Sequence, residues 1–157
     1  MGQLQWVRRL SPWEIEMLFR ADLQLANDPL LPLEQIAVGG RYSVRGYREN
    51  QLVRDNGLLA SVESRIPVIR DRRWAEFVQV APFVDVGQSW NTHFPTPSPT
   101  TLASIGLGLR WAATLTWPFP MRPQFEVYWG LPLNHVKTPG GNLQDDGLSF
   151  QVSVALF

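Results

Sequence analysis

The chain has 157 residues, a formal net charge of zero and no cysteine. One ordinary domain fits that length. The charge balance argues against a nucleic-acid binder, and the missing cysteine excludes disulfides, a thiolate nucleophile and a cysteine-ligated metal. No run approaches ~18 consecutive apolar residues, so no transmembrane helix is expected. MGQLQWVRRLSPW has no apolar h-region, so no signal peptide is visible. A membrane β-barrel escapes both tests, because its strands are short and only alternately apolar.

In chain order the dominant signal has period two. LQWVRRL reads as the tail of a preceding strand. In EMLFRADLQLA, Met17, Phe19, Ala21, Leu23 and Leu25 share one face, and Arg20, Asp22 and Gln24 the other, with Leu18 an exception. GLLASVESRIPV sets Leu58, Ala60, Val62, Ile66 and Val68 against Leu59, Ser61, Glu63 and Arg65. FVQVAPFVDVG sets Val78, Val80, Val84 and Val86 against Gln79, Ala81, Phe83, Asp85 and Gly87. ASIGLGLRW, QFEVYWGL and LSFQVSVALF alternate in the same way. These six strands, each about 9–11 residues long, suit a tilted bilayer crossing. Long polar loops at 26–56, 88–101 and 132–147 interleave with shorter connections at 69–75 and 112–122, the asymmetry of extracellular loops and periplasmic turns. The expected fold class is therefore all-β: an antiparallel, up-and-down transmembrane β-barrel segment of about six strands. Six strands cannot close a barrel whose smallest bacterial forms have about eight. The segment is either part of something larger, closes by oligomerising, or is a remnant.

GGRYSVRGYREN, residues Gly39 to Asn50, stands apart as a Gly-rich and Arg-rich loop between apolar strands. VRGY within it, Val44, Arg45, Gly46 and Tyr47, resembles the signature loop of the outer-membrane two-partner secretion transporters. These are the hemolysin-activator type within the Omp85 superfamily. LEQIAVGGRYSVRGYRENQLVRDNG is similar to that family almost throughout. FVDVG resembles its barrel-wall motif, carried by Phe83, Asp85 and Gly87. A terminal Phe157 matches the C-terminal assembly signal of such barrels, although on strict alternation it falls opposite Val152, Val154 and Leu156.

The resemblance spans roughly residues 14–157 and implies that residues 1–157 are the C-terminal part of an outer-membrane barrel. The family's POTRA domains and earlier strands are missing from the sequence. It also implies that the long loop 26–56 folds into the lumen, with Arg45 paired to Asp85. The polar-face position of Asp85 agrees independently with that pairing. Tyr47 is expected to pack against Phe83, and joint charge reversal at Arg45 and Asp85 to restore part of what either reversal loses. The implied function is a translocation pore secreting a large exoprotein, which passes as an unfolded polypeptide. A barrel-assembly insertase of the same superfamily and a non-functional truncated remnant stand as alternatives. Implied partners are that exoprotein, outer-membrane lipid and the barrel-assembly machinery, with no nucleic acid. The address is a bacterial or organellar outer membrane.

No enzyme, cofactor or metal site is expected. His93 and His135 lack ligand spacing, and no GxSxG frame supports a Ser-His-Asp triad. Gly106 and Gly108 share one strand face with no helix following, so they are no phosphate loop. A soluble β-module with its apolar residues inward remains the reading from another class.

Overall fold

A computed structural model describes residues 1–72, 74–116, 120–134, 136 and 146–156. His135 and Phe157 lie outside the described residues.

The described chain is all β. The strands are β1 (Gly2–Leu10), β2 (Ile15–Gln24), β3 (Ile36–Val38), β4 (Leu52–Arg54), β5 (Asn56–Arg72), β6 (Ala75–Trp90), β7 (Thr101–Ala112), β8 (Met121–Pro132) and β9 (Leu148–Leu156). Seven of them form one antiparallel meander in the order β1-β2-β5-β6-β7-β8-β9, which does not close on itself. The count is seven rather than six because LQWVRRL belongs to a complete strand, paired with β2 from Gly2↔Leu23 to Leu10↔Ile15. Strands β5 and β6 are 17 and 16 residues long, well beyond the expected length. Their pairing continues to Arg72↔Ala75, so the IRDR stretch is strand and only a tight turn separates the two. The register slips once, between Pro67 and Ile69, where proline offers no N–H to the ladder.

The described connecting residues 11–14, 74, 113–116 and 120 lie at one end of the sheet, and 25–55, 91–100, 133–134, 136 and 146–147 at the other. The long loop between β2 and β5 carries its own two-stranded ribbon, β3 with β4, each of three residues. Such short pieces give no periodic signal.

The two faces of the sheet are the inverse of a soluble sandwich. Val84 is 54% exposed, Leu107 51% and Val152 62%, whereas Asp85 is 1% exposed and Ser104 fully buried. Val62, Leu109, Phe125, Leu131 and Val154 are also exposed on the apolar face. Trp13 and Trp74 sit exposed at the tight-turn end, where a barrel carries its aromatic girdle. The opposite face is covered by the long loop. A small apolar core forms beneath it from Ile36, Val38, Val44, Tyr47 and Leu52 of the loop with Leu59 of β5 and Leu102 of β7. Leu59, an apolar residue on the polar face, belongs to that core.

Candidate functional site: the loop tip on the barrel wall

The site forms where the loop tip meets the inner wall. Cross-strand register places Ser61 opposite Asp85, and Asp85 opposite Ser104. One step along, Glu63, Phe83, Gly106 and Gly130 form the next row across β5, β6, β7 and β8. Alternation aims both rows at the loop.

Arg45 descends onto these rows. Its Nε donates to Asp85 Oδ2 at 2.8 Å and its Nη2 to Asp85 Oδ1 at 2.9 Å, a two-pronged fork. The backbone N–H of Arg45 also donates to Asp85 Oδ2, at 3.0 Å. Nη1 pairs with Glu63 Oε2, and Nη2 reaches Ser61 Oγ at 3.2 Å. Ser61 in turn donates to Asp85 Oδ1 at 2.6 Å. The guanidinium carbon lies 3.6 Å from the Phe83 ring centroid and 4.9 Å from that of Tyr128. Those two rings meet edge to face at 6.0 Å. Burial alone would lower the Arg45 pKa, but Asp85 and Glu63 outweigh it and hold the group above its ordinary value. The cation is thus locked in its charged form.

The ion pair does not stand alone. Glu63 Oε1 also accepts from Arg65 Nε at 2.8 Å, and Arg65 Nη1 donates to Glu16 at 2.9 Å. Glu16, Arg65, Glu63, Arg45 and Asp85 make a chain of alternating charge across β2, β5, the loop and β6. Glu63 limits the charge-reversal expectation. An acidic residue at position 45 would face Glu63 as well as its new partner, so the reversed pair restores only a small part of the loss.

Glycines set the approach distance. Gly46 has φ +93°, and a Cβ there would come 2.8 Å from the Gly130 carbonyl oxygen. A Cβ on Gly130 would come 2.7 Å from the Gly46 nitrogen. Two backbones therefore touch where no side chain fits.

Past Gly46 the chain turns away, and Tyr47 does not pack on Phe83. It joins the apolar core with Val44 and Leu102, and the group stacked on Phe83 is Arg45 itself. The Tyr47 hydroxyl lies 2.8 Å from the Ala103 carbonyl oxygen and 3.0 Å from that of Asn134. It also accepts from the Asn134 N–H at 3.1 Å. Tyr47→Phe removes these bonds, while the Ala103 carbonyl keeps the Leu133 N–H at 2.8 Å, at a cost of about 0.5–1.5 kcal/mol. Loop cleavage by protease in membrane vesicles should accelerate accordingly, while barrel assembly is retained.

Gly87 closes the wall motif: a Cβ there would overlap Val38, Leu59 and Val44. Val44 itself is fully buried. Phe157, the remaining predicted residue, is outside the described part of the chain. Sequence reasoning missed Glu63 as a partner of Arg45, as well as Tyr128 and Gly130.

It also missed the clamp at the loop's far end. Arg54 donates to the carbonyls of Ser89 at 2.7 Å and Pro99 at 2.8 Å. Asp55 accepts from the N–H groups of Leu30 and Thr92 at 2.9 and 2.8 Å, and from Gln35 Nε2 at 2.9 Å. Asn56 Oδ1 accepts from the Ala26 N–H at 2.7 Å. Three consecutive side chains thus tie both ends of loop 26–56 to the loop at 91–100. The hydrogen bonds from Thr92, Leu30 and Gln35 hold the Asp55 carboxyl below its ordinary pKa. Its contribution is full above the unfolded carboxyl value, about 3.9, and is lost as pH falls through the lower folded value. Pepsin should therefore spare this loop near pH 4 and cut it in stronger acid. Asp55→Asn should make the cutting of this loop less dependent on pH.

A family model described as haemolysin secretion/activation protein ShlB/FhaC/HecB matches residues 2–111. No curated protein and no solved structure matches the chain.

Proposed function

The chain belongs to the haemolysin secretion/activation family of ShlB, FhaC and HecB, outer-membrane transporters of two-partner secretion, and we propose that its long loop is a releasable plug in the secretion pore. The exported partner is a large exoprotein that passes in extended, unfolded form. The seven strands supply part of the wall, and further strands close the barrel around the loop. The barrel-assembly machinery inserts it, and lipid covers the exposed apolar face. No covalent bond is made or broken, so the protein acts as a conduit and not as an enzyme.

The observation that carries this reading is the single arginine of the loop tip held in a dehydrated two-carboxylate site. Such a site positions more than it stabilises. Glu63 keeps Arg65 when Arg45 withdraws, but the desolvation of Asp85 is offset only while Arg45 is docked. A loop fixed by a small set of polar contacts is closed at rest and free once those contacts part. An apolar core spread over the whole loop would give no such switch. The core here is confined to seven residues near the long-loop end.

The test is export of the cognate exoprotein by cells carrying the full-length protein. Export that depends on this protein, with other outer-membrane proteins assembling normally without it, supports the secretion reading. Loss of general barrel assembly with no exported partner would replace that reading with the insertase one.

A further inference from the structure

We propose that Arg41 is a second pin of the loop, set deeper in the lumen than Arg45, and that it lets go first. The proposal rests on the releasable-plug reading above. Arg41 Nη2 lies 2.6 Å from Glu126 Oε2. The other oxygen of Glu126 is held by Arg110, at 3.0 Å from Nε and 2.9 Å from Nη2. Arg110 Nη1 donates to Gln79 at 3.0 Å. Gln79, Arg110 and Glu126 form one row across β6, β7 and β8. Along β6 that row is six residues nearer the tight-turn end than Asp85. The loop therefore grips the wall at two levels. Tyr128 stands between them, its ring centroid 5.2 Å from the Arg41 guanidinium carbon and 4.9 Å from that of Arg45.

The two pins differ in what their release leaves behind. Withdrawing Arg45 strands Asp85, whose side chain is fully shielded. Withdrawing Arg41 leaves Glu126 still neutralised by Arg110. Glu126 is also wetter, with 20% of its side chain exposed. Arg41 engages it through one nitrogen, and Nη1 of Arg41 is buried with no partner among the described residues. Arg41 is thus a positioning residue that keeps the deep end of the plug seated. Its loss loosens the loop without stranding a charge.

The test is uptake of a bulky antibiotic by cells expressing the full-length protein, read beside export of the exoprotein. Arg41→Gln should raise uptake about two- to five-fold, the effect of a weak, partly solvated ion pair. Glu126→Gln should raise it similarly, and the double variant no further than the larger single. Arg41→Lys should keep uptake near wild type, because one N–O contact is enough. Uptake unchanged in Arg41→Gln, or singles that multiply in the double variant, would overturn the pin. Should Glu126→Gln fail to assemble, the contrast of lysine and glutamine at position 41 still decides. Uptake does not need the exoprotein. A wild-type protein that exports nothing yet shows these uptake effects would defeat the secretion reading and leave the pin standing.

Discussion

Arg45→Met should abolish secretion while leaving the barrel in the membrane. Methionine keeps the apolar stem that lies on Phe83 and the backbone N–H bond to Asp85, but removes every side-chain contact to Asp85, Glu63 and Ser61. Asp85 is then a buried carboxylate whose nearest cation is gone. Removing one partner of a buried ion pair costs about 3–5 kcal/mol. Each 1.4 kcal/mol is tenfold, so the docked loop loses roughly two to three and a half orders of magnitude in population. Export of the exoprotein should fall to background, with normal surface amounts of folded barrel by heat-modifiable mobility. Arg45→Lys should fall nearly as far, because an ammonium cannot fork onto Asp85 and reach Glu63 together. Asp85→Asn added to Arg45→Met should cost little more, since the carboxylate that made the first change expensive has been removed.

Gly130→Ala is the second large effect, and it acts without touching a charge. The new methyl would stand 2.7 Å from the Gly46 nitrogen and 2.8 Å from the Arg45 carbonyl carbon, both backbone atoms. Neither has a flexible end that can yield. Overpacking of this kind costs about 1–3 kcal/mol, and here the cost falls on loop docking alone. The outward neighbours Trp129 and Leu131 are unaffected, so insertion should be normal. Export should drop about five- to hundred-fold by the same conversion, with Arg45 and Asp85 intact. Gly46→Ala should do at least as much, because its φ of +93° adds backbone strain to the overlap.

The strands were legible because their side chains alternate between lipid and lumen, which period two reports directly. Asp85 could be placed on the inner face by that count, and Arg45 by the motif around it. Glu63 could be placed on the same face, but nothing in the sequence says that β5 and β6 align Ser61 with Asp85. Register alone brings Glu63 within reach. Gly130 was visible only as one more small residue of a polar face, since its role depends on Gly46 arriving from a distant segment. Tyr47 went to the wrong neighbour because a linear motif does not reveal that the chain reverses at Gly46. β1 was half seen because Gln3, Gln5, Arg8 and Arg9 dilute its apolar pattern. The clamp of Arg54, Asp55 and Asn56 carries no periodic signal, and only the folded loops show Arg54 reaching Ser89 and Pro99, Asp55 reaching Leu30 and Thr92, and Asn56 reaching Ala26.

In the plug reading, the loop tip rests inside the barrel and must leave the wall for export. The chain has no cysteine, so a cysteine pair can be placed without competition from within it. The Tyr42 hydroxyl lies 3.3 Å from Gln151 Oε1 of β9, and Tyr42 is 66% exposed. The most direct measurement is export by the full-length Tyr42→Cys, Gln151→Cys variant, treated with a short cross-linker that a reductant cleaves. The link should form in resting cells, export should stop, and reduction should restore it. Complete cross-linking with undiminished export, or no cross-link in a folded barrel, would contradict the plug reading.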